Sequence, residues 1–93
     1  MPPGVSGMPE ISRFFGIVVL MFYNDHSPPH FHARHGEYKA RIAIAPLAVL
    51  AGSLPPRALG LVMEWAEVHR AELIDDWERA RVQSPLKKIE PLK

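Results

Sequence analysis

Four of the five histidines in this chain fall within ten residues, in the stretch NDHSPPHFHARHGEYKAR at positions 24–41. His26, His30, His32 and His35 stand there beside Asp25, Arg34, Glu37, Lys39 and Arg41. Imidazole titrates near neutrality, so it can accept or donate a proton at physiological pH, and its neutral form ligates metals. Arginine and lysine neutralise phosphoryl charge. Three chemistries fit this set. The first is a metal site, with Asp25, His26, His30 and His32 as the ligands if one forms. Three cations close by raise the cost of holding a divalent ion, so no cofactor is expected. The second is metal-independent acid–base cleavage of RNA. There His32 would be the base, His30 the acid, Arg34 with Arg41 the phosphate clamp, and Glu37 the group that orients a histidine or pairs with Arg34. Arg13 and Tyr38 are weaker candidates. The third is a binding surface without catalysis, in which His26, His35, Lys39 and Arg41 help dock an acidic protein or nucleic-acid phosphates. The plainest reading of the same residues is a solvated strand face whose charges deter edge pairing.

All three chemistries need the side chains on one face, and the sequence supplies a means. FHARHGEYKARIAIA reads as a β-hairpin with His35-Gly36 as its two-residue loop, Gly36 taking the positive φ that a type I′ turn requires. In that register Arg34 faces Glu37, His32 faces Lys39 and His30 faces Arg41. Alternation then puts His30, His32, Arg34, Glu37, Lys39 and Arg41 on one side and Phe31, Ala33, Tyr38, Ala40 and Ile42 on the other. A slip of one residue would mix the polar and apolar sets, which supports the separation.

The flanking segments must build the support. RFFGIVVLMFYN (13–24) lacks alternation and is rich in β-branched and aromatic residues, so it reads as one central strand buried on both faces. LAVLAGSL (47–54) reads as a further short strand. Pro55 and Pro56 suit the start of a helix, and Leu59, Val62, Met63 and Ala66, then Leu73, Ile74, Trp77 and Ala80, keep helical spacing. A straight helix over 56–82 would run about 40 Å at ~1.5 Å per residue, long for this domain, so a break is expected near His69-Arg70. Trp65 and Trp77 read as core, and His69 as a bend residue with a local hydrogen bond. HRAE lacks the second histidine of a zinc-protease motif. Lys87 and Lys88 read as a solvated pair, and the tail at 84–93 as an extended segment docked by Leu86, Ile89 and Leu92.

The expected fold is therefore α+β. A small antiparallel sheet of three to four strands (11–54) carries one long bent helix or two consecutive helices (56–82) on its Phe31/Tyr38/Ile42 face, leaving the histidine face open or covered by a partner. Ninety-three residues make a single domain, taken as 8–93, with MPPGVSG (1–7) as a flexible extension. So short a chain buries a thin core, which makes homo-oligomerisation one route to stability. A net charge of +1, from 11 basic and 10 acidic residues, means that any basic patch must come from local arrangement. The absence of cysteine excludes disulfides and thiolate chemistry and fits a cytoplasmic protein. The apolar run GIVVLMFY is too short to span a membrane, and no signal peptide precedes it.

MPEISRFFGIVVLMFYNDHSPPHFHARHGEYKARI, followed by LPPRALGLVMEWAEVHRAELIDDWERA and PLKKIEPL, resembles the bacterial domain-of-unknown-function family 4160 from Met8 to Lys93. The family's motif centres on the residues matching Asp25, His26, Pro28, Pro29, His30, Phe31, His32, Gly36, Glu37 and Tyr38. The resemblance carries no accepted catalytic assignment. Members are often encoded beside another small family of unknown function, number 2442, in pairs like toxin–antitoxin operons. This implies a small protein partner rather than a reaction.

Overall fold

Strand follows strand in chain order across one antiparallel sheet: β1 (Glu10–Phe14), β2 (Ile17–Leu20), β3 (His30–His35), β4 (Tyr38–Ile44) and β5 (Leu47–Ser53) lie in the order β1-β2-β3-β4-β5. The computed structural model describes residues 9–93, and the expected extension at 1–7 lies outside them. Two helices follow, α1 (Pro56–Val68) and α2 (Arg70–Arg81). The α+β class is as expected, with five strands instead of three or four.

The extra strand comes from a turn hidden in the apolar run at 13–24. Phe15 and Gly16 both take positive φ, +49° and +77°, as a two-residue type I′ hairpin loop demands. The run that reads as one central strand is thus β1, a turn, β2 and the start of a loop. Phe15, at the tip, is 58% exposed.

The β3–β4 hairpin forms with its register moved by two residues. His35 pairs with Tyr38, Arg34 with Lys39, His32 with Arg41 and His30 with Ala43, so the loop is Gly36-Glu37. Gly36 carries φ +60° at the first loop position, the place a type II′ turn reserves for glycine. Period two makes a two-residue shift neutral for the faces. His30, His32, Arg34, Lys39 and Arg41 still share one side, while Glu37 leaves it for the turn.

The helices cover the other side. α1 turns Ala58, Val62, Trp65 and Ala66 inward, and α2 turns Leu73, Trp77 and Ala80 inward. The Trp65 ring packs against Phe14 and Phe31, with centroids 5.4 and 6.0 Å away. Phe31 and Ile42 are fully buried, but Tyr38, near the turn, is 47% exposed. Side chains of this size stabilise by about 1.5–3 kcal/mol each when buried. The helical run breaks at His69, whose ring meets Glu72, and the break aims α2 across the end of the sheet that carries His30. Among the described residues no helix is long and apolar enough to cross a membrane.

The tail docks along β1. Ile89 N–H donates to the Ile11 carbonyl at 2.8 Å, Ser12 Oγ donates to the Ile89 carbonyl at 2.9 Å, and Trp65 Nε1 donates to the Glu90 carbonyl at 2.8 Å. A buried carboxylate also holds it: Asp76 Oδ1 accepts the Lys87 backbone N–H at 2.9 Å, while Oδ2 has no hydrogen-bond partner among the described residues. Burial raises the Asp76 pKa above the ordinary carboxyl range, and Asp75 adds to the rise against the Lys87 hydrogen bond. A carboxyl with a higher pKa folded than unfolded lends stability in acid. That stability is lost as pH climbs from about 4 through the raised value. Asp76→Asn keeps the acceptor for Lys87 and removes the charge. It is expected to gain stability relative to the parent as pH rises from 4 to 7, whereas Asp76→Ala loses about 0.5–1.5 kcal/mol with the part-buried hydrogen bond from Lys87. Urea unfolding at the two pH values measures both.

Candidate functional site

The loop at 21–29 delivers a carboxylate to the histidines of β3. Asn24 N–H donates to the Ala80 carbonyl at the end of α2 at 3.2 Å, and the Pro29 carbonyl accepts Ile44 N–H at 3.1 Å, so the loop is fastened to both the helix and the sheet. Between these points Pro28 and Pro29 offer carbonyls and no N–H donors. His30 Nδ1–H donates to the Pro28 carbonyl at 2.7 Å. Asp25 then lies over β3, its Oδ2 3.0 Å from His30 Nε2 and 3.3 Å from His32 Nε2, while its Oδ1 accepts the His26 backbone N–H at 2.9 Å.

Aromatic rings wall this cluster. Trp77 of α2 lies 5.2 Å from the His30 ring, and Phe22 stacks on His32 with centroids 4.1 Å apart. His30 is only 3% exposed. The face expected to be open is therefore closed at this end, because α2 and the loop fold over it. His32 remains partly open.

Hydrogen-bond arithmetic sets the electrostatics. A carbonyl can only accept, so the Pro28 bond puts a proton on His30 Nδ1. Neutral His30 then presents a bare Nε2 lone pair to a carboxylate at 3.0 Å. Two acceptors do not hold each other at that distance, so a proton or a cation must stand between them. Burial works to raise the Asp25 carboxyl, but the hydrogen bonds from His32 and the His26 N–H, with the charge of His30, outweigh it and leave the pKa lowered. Burial lowers the His32 pKa against the pull of Asp25, and repulsion from His30 and Arg41 adds to the fall.

His32 also borders an open depression of about 240 Å³ on the uncovered face, lined by Lys39, Ala40, Arg41, Ala51 and Gly52. Gly52 takes φ +75°, and a Cβ there would stand 2.2 Å from the Lys39 carbonyl oxygen. Only glycine lets β5 run this close to β4.

Of the residues singled out by sequence, Asp25, His30 and His32 meet at one point, and Lys39 and Arg41 stand beside it. Arg34 lies on the same face one step toward the hairpin turn, paired in register with Val18 and Lys39. Glu37 is in the turn, away from His30 and His32. His26 projects outward with its side chain 91% exposed. His35 and Tyr38 are on the helix-side face, where the His35 ring reaches the Gly16 carbonyl. Arg13 pairs with Glu10 at the β1 edge. Trp77, expected as core, is buried and also walls the site, and Phe22 is a further wall that the sequence did not single out. The place of Phe22 over His32 follows from the course of the 21–29 loop, which local pattern does not give.

A protein-family model described as a domain of unknown function (DUF4160) matches residues 16–78. The matched segment holds Asp25, His30, His32, Lys39 and Arg41. No curated protein and no solved structure matches the chain.

His30 supports the fold as well as the site. His30→Ala is expected to cost about 2–4 kcal/mol, from the cavity beside Trp77 and the unpaired Pro28 carbonyl. His35→Ala, at the hairpin end, is expected to cost less than about 1 kcal/mol. Urea midpoints of the two variants measure the difference.

Proposed function

The chain belongs to the DUF4160 family, and we propose that it is a binding module whose uncovered sheet face grips phosphate-bearing ligands, single-stranded RNA foremost. The observation that carries this reading is the meeting of Lys39, Arg41 and the partly open His32 around one depression, on the side of the sheet the helices leave bare. With a net charge of only +1, such a concentration of cations is local and directional. Phosphate contacts of this kind give affinity with little sequence preference and strong salt dependence. The toxin–antitoxin resemblance fits a cytoplasmic component of a two-protein module. An acidic partner would compete with RNA for this face, as charge complementarity favours.

Metal-independent RNA cleavage is the second reading, favoured by the position of His32 between Asp25 and the cationic depression. It needs an acid other than His30, which is buried with both ring nitrogens engaged. Incubating RNA with the protein in chelator reads this possibility directly.

Binding to a fluorescent oligoribonucleotide, followed by anisotropy over a range of salt, tests the leading reading. The double variant Lys39→Glu/Arg41→Glu is expected to lose at least about tenfold in affinity and to flatten the slope of log K against log salt by about 1–2. Arg57→Glu, on α1, is the control expected to bind like the parent. Equal binding by the double variant and the parent would overturn the reading.

A further inference from the structure

The structure assigns a divalent transition-metal site to Asp25 Oδ2, His30 Nε2 and His32 Nε2. This goes beyond the binding reading and does not depend on it. The three ligand atoms all lie within 4.8 Å of one another. Two atoms bound to one ion at about 2.05 Å stand roughly 2.9 Å apart across a right angle and roughly 3.3 Å apart across a tetrahedral one. The two contacts of Asp25 Oδ2, at 3.0 and 3.3 Å, fall at these spacings, and the His30 and His32 nitrogens, within 4.8 Å, must stand about 4.1 Å apart or less to share the ion.

A second observation is independent of the spacing. The His30 side chain is 97% buried, and its Nδ1–H is fixed to the Pro28 carbonyl, which aims the Nε2 lone pair at the carboxylate. Metal-ligating histidines commonly have this arrangement, with the outer nitrogen donating to a carbonyl so that tautomer and ring direction are set. Phe22 and Trp77 restrain the two rings further. A metal ion can stand between the His30 Nε2 lone pair and Asp25 Oδ2.

Two imidazoles and one carboxylate suit zinc, cobalt, manganese or iron and exclude calcium and magnesium as preferred ions. Three protein ligands leave positions for water or an anionic group. Lys39 and Arg41 repel a bare ion, so its affinity rises when a phosphate takes an open position. The sequence pattern brought His26 in as a fourth ligand, but its ring extends into solvent and contacts the opposite oxygen of Asp25.

The test titrates Zn²⁺ into chelator-treated protein by calorimetry and Co²⁺ by visible absorption, with no nucleotide present. One equivalent of each ion is expected, with Co²⁺ giving d–d bands of a low-coordinate nitrogen/oxygen site. Asp25→Asn and His32→Gln, checked for native circular dichroism, are each expected to weaken both ions by at least about tenfold. His26→Ala is expected to bind as the parent does. Absence of Zn²⁺ and Co²⁺ uptake by folded protein would overturn the assignment. Undiminished uptake by both ligand variants would overturn it equally. Neither outcome touches RNA binding by Lys39 and Arg41, which is measured with chelator present.

Discussion

The buried imidazole of His30 is where three parts of this molecule meet. Its Nδ1–H ties it to the Pro28 carbonyl, its Nε2 faces Asp25, and its ring rests near Trp77 of α2. A polar ring this deeply buried is tolerated only when its nitrogens are matched. The proline loop, the first residue of β3 and the inner face of α2 must therefore all be in place together. The break at His69 contributes by directing α2 across that end of the sheet. His32, two residues on, then comes out beside the same carboxylate with one flank free.

The architecture separates two functions of the sheet. The side carrying Phe14, Phe31 and Ile42 is sealed by α1 and the Trp65 indole. The opposite side keeps Lys39, Arg41 and His32 near solvent. The tail covers the β1 edge through Ile11 and Ser12, so the long helical segment and the docked tail together leave the cationic side uncovered. The part of this side that α2 and the 21–29 loop leave uncovered is the part with the charge.

Much of this was legible in the residues. Alternation in FHARHGEYKARI assigns the strand side chains to their faces correctly, Glu37 excepted, because the pairing register is off by two residues and the pleat repeats every two. The helical spacing and the break at His69 also read directly. The turn at Phe15-Gly16 did not, since a phenylalanine with positive φ at a hairpin tip leaves the apolar run unbroken in sequence. Nor could the loop at 21–29 be placed. Its course depends on bonds to Ala80 and Ile44, more than ten residues away, so neither the burial of His30 nor the arrival of Asp25 over both histidines follows from local pattern.

The most direct test of the central claim, that the uncovered face is the working surface, is a map of where RNA touches the protein. Amide and side-chain resonances of isotope-labelled protein, followed during titration with a short oligoribonucleotide, give that map. Shifts are expected to concentrate at His32, Lys39, Arg41, Ala51 and Gly52, with α1 and the Phe15-Gly16 turn silent. Shifts centred on α1, or on the cleft among Phe15, His35 and Arg57, would contradict it.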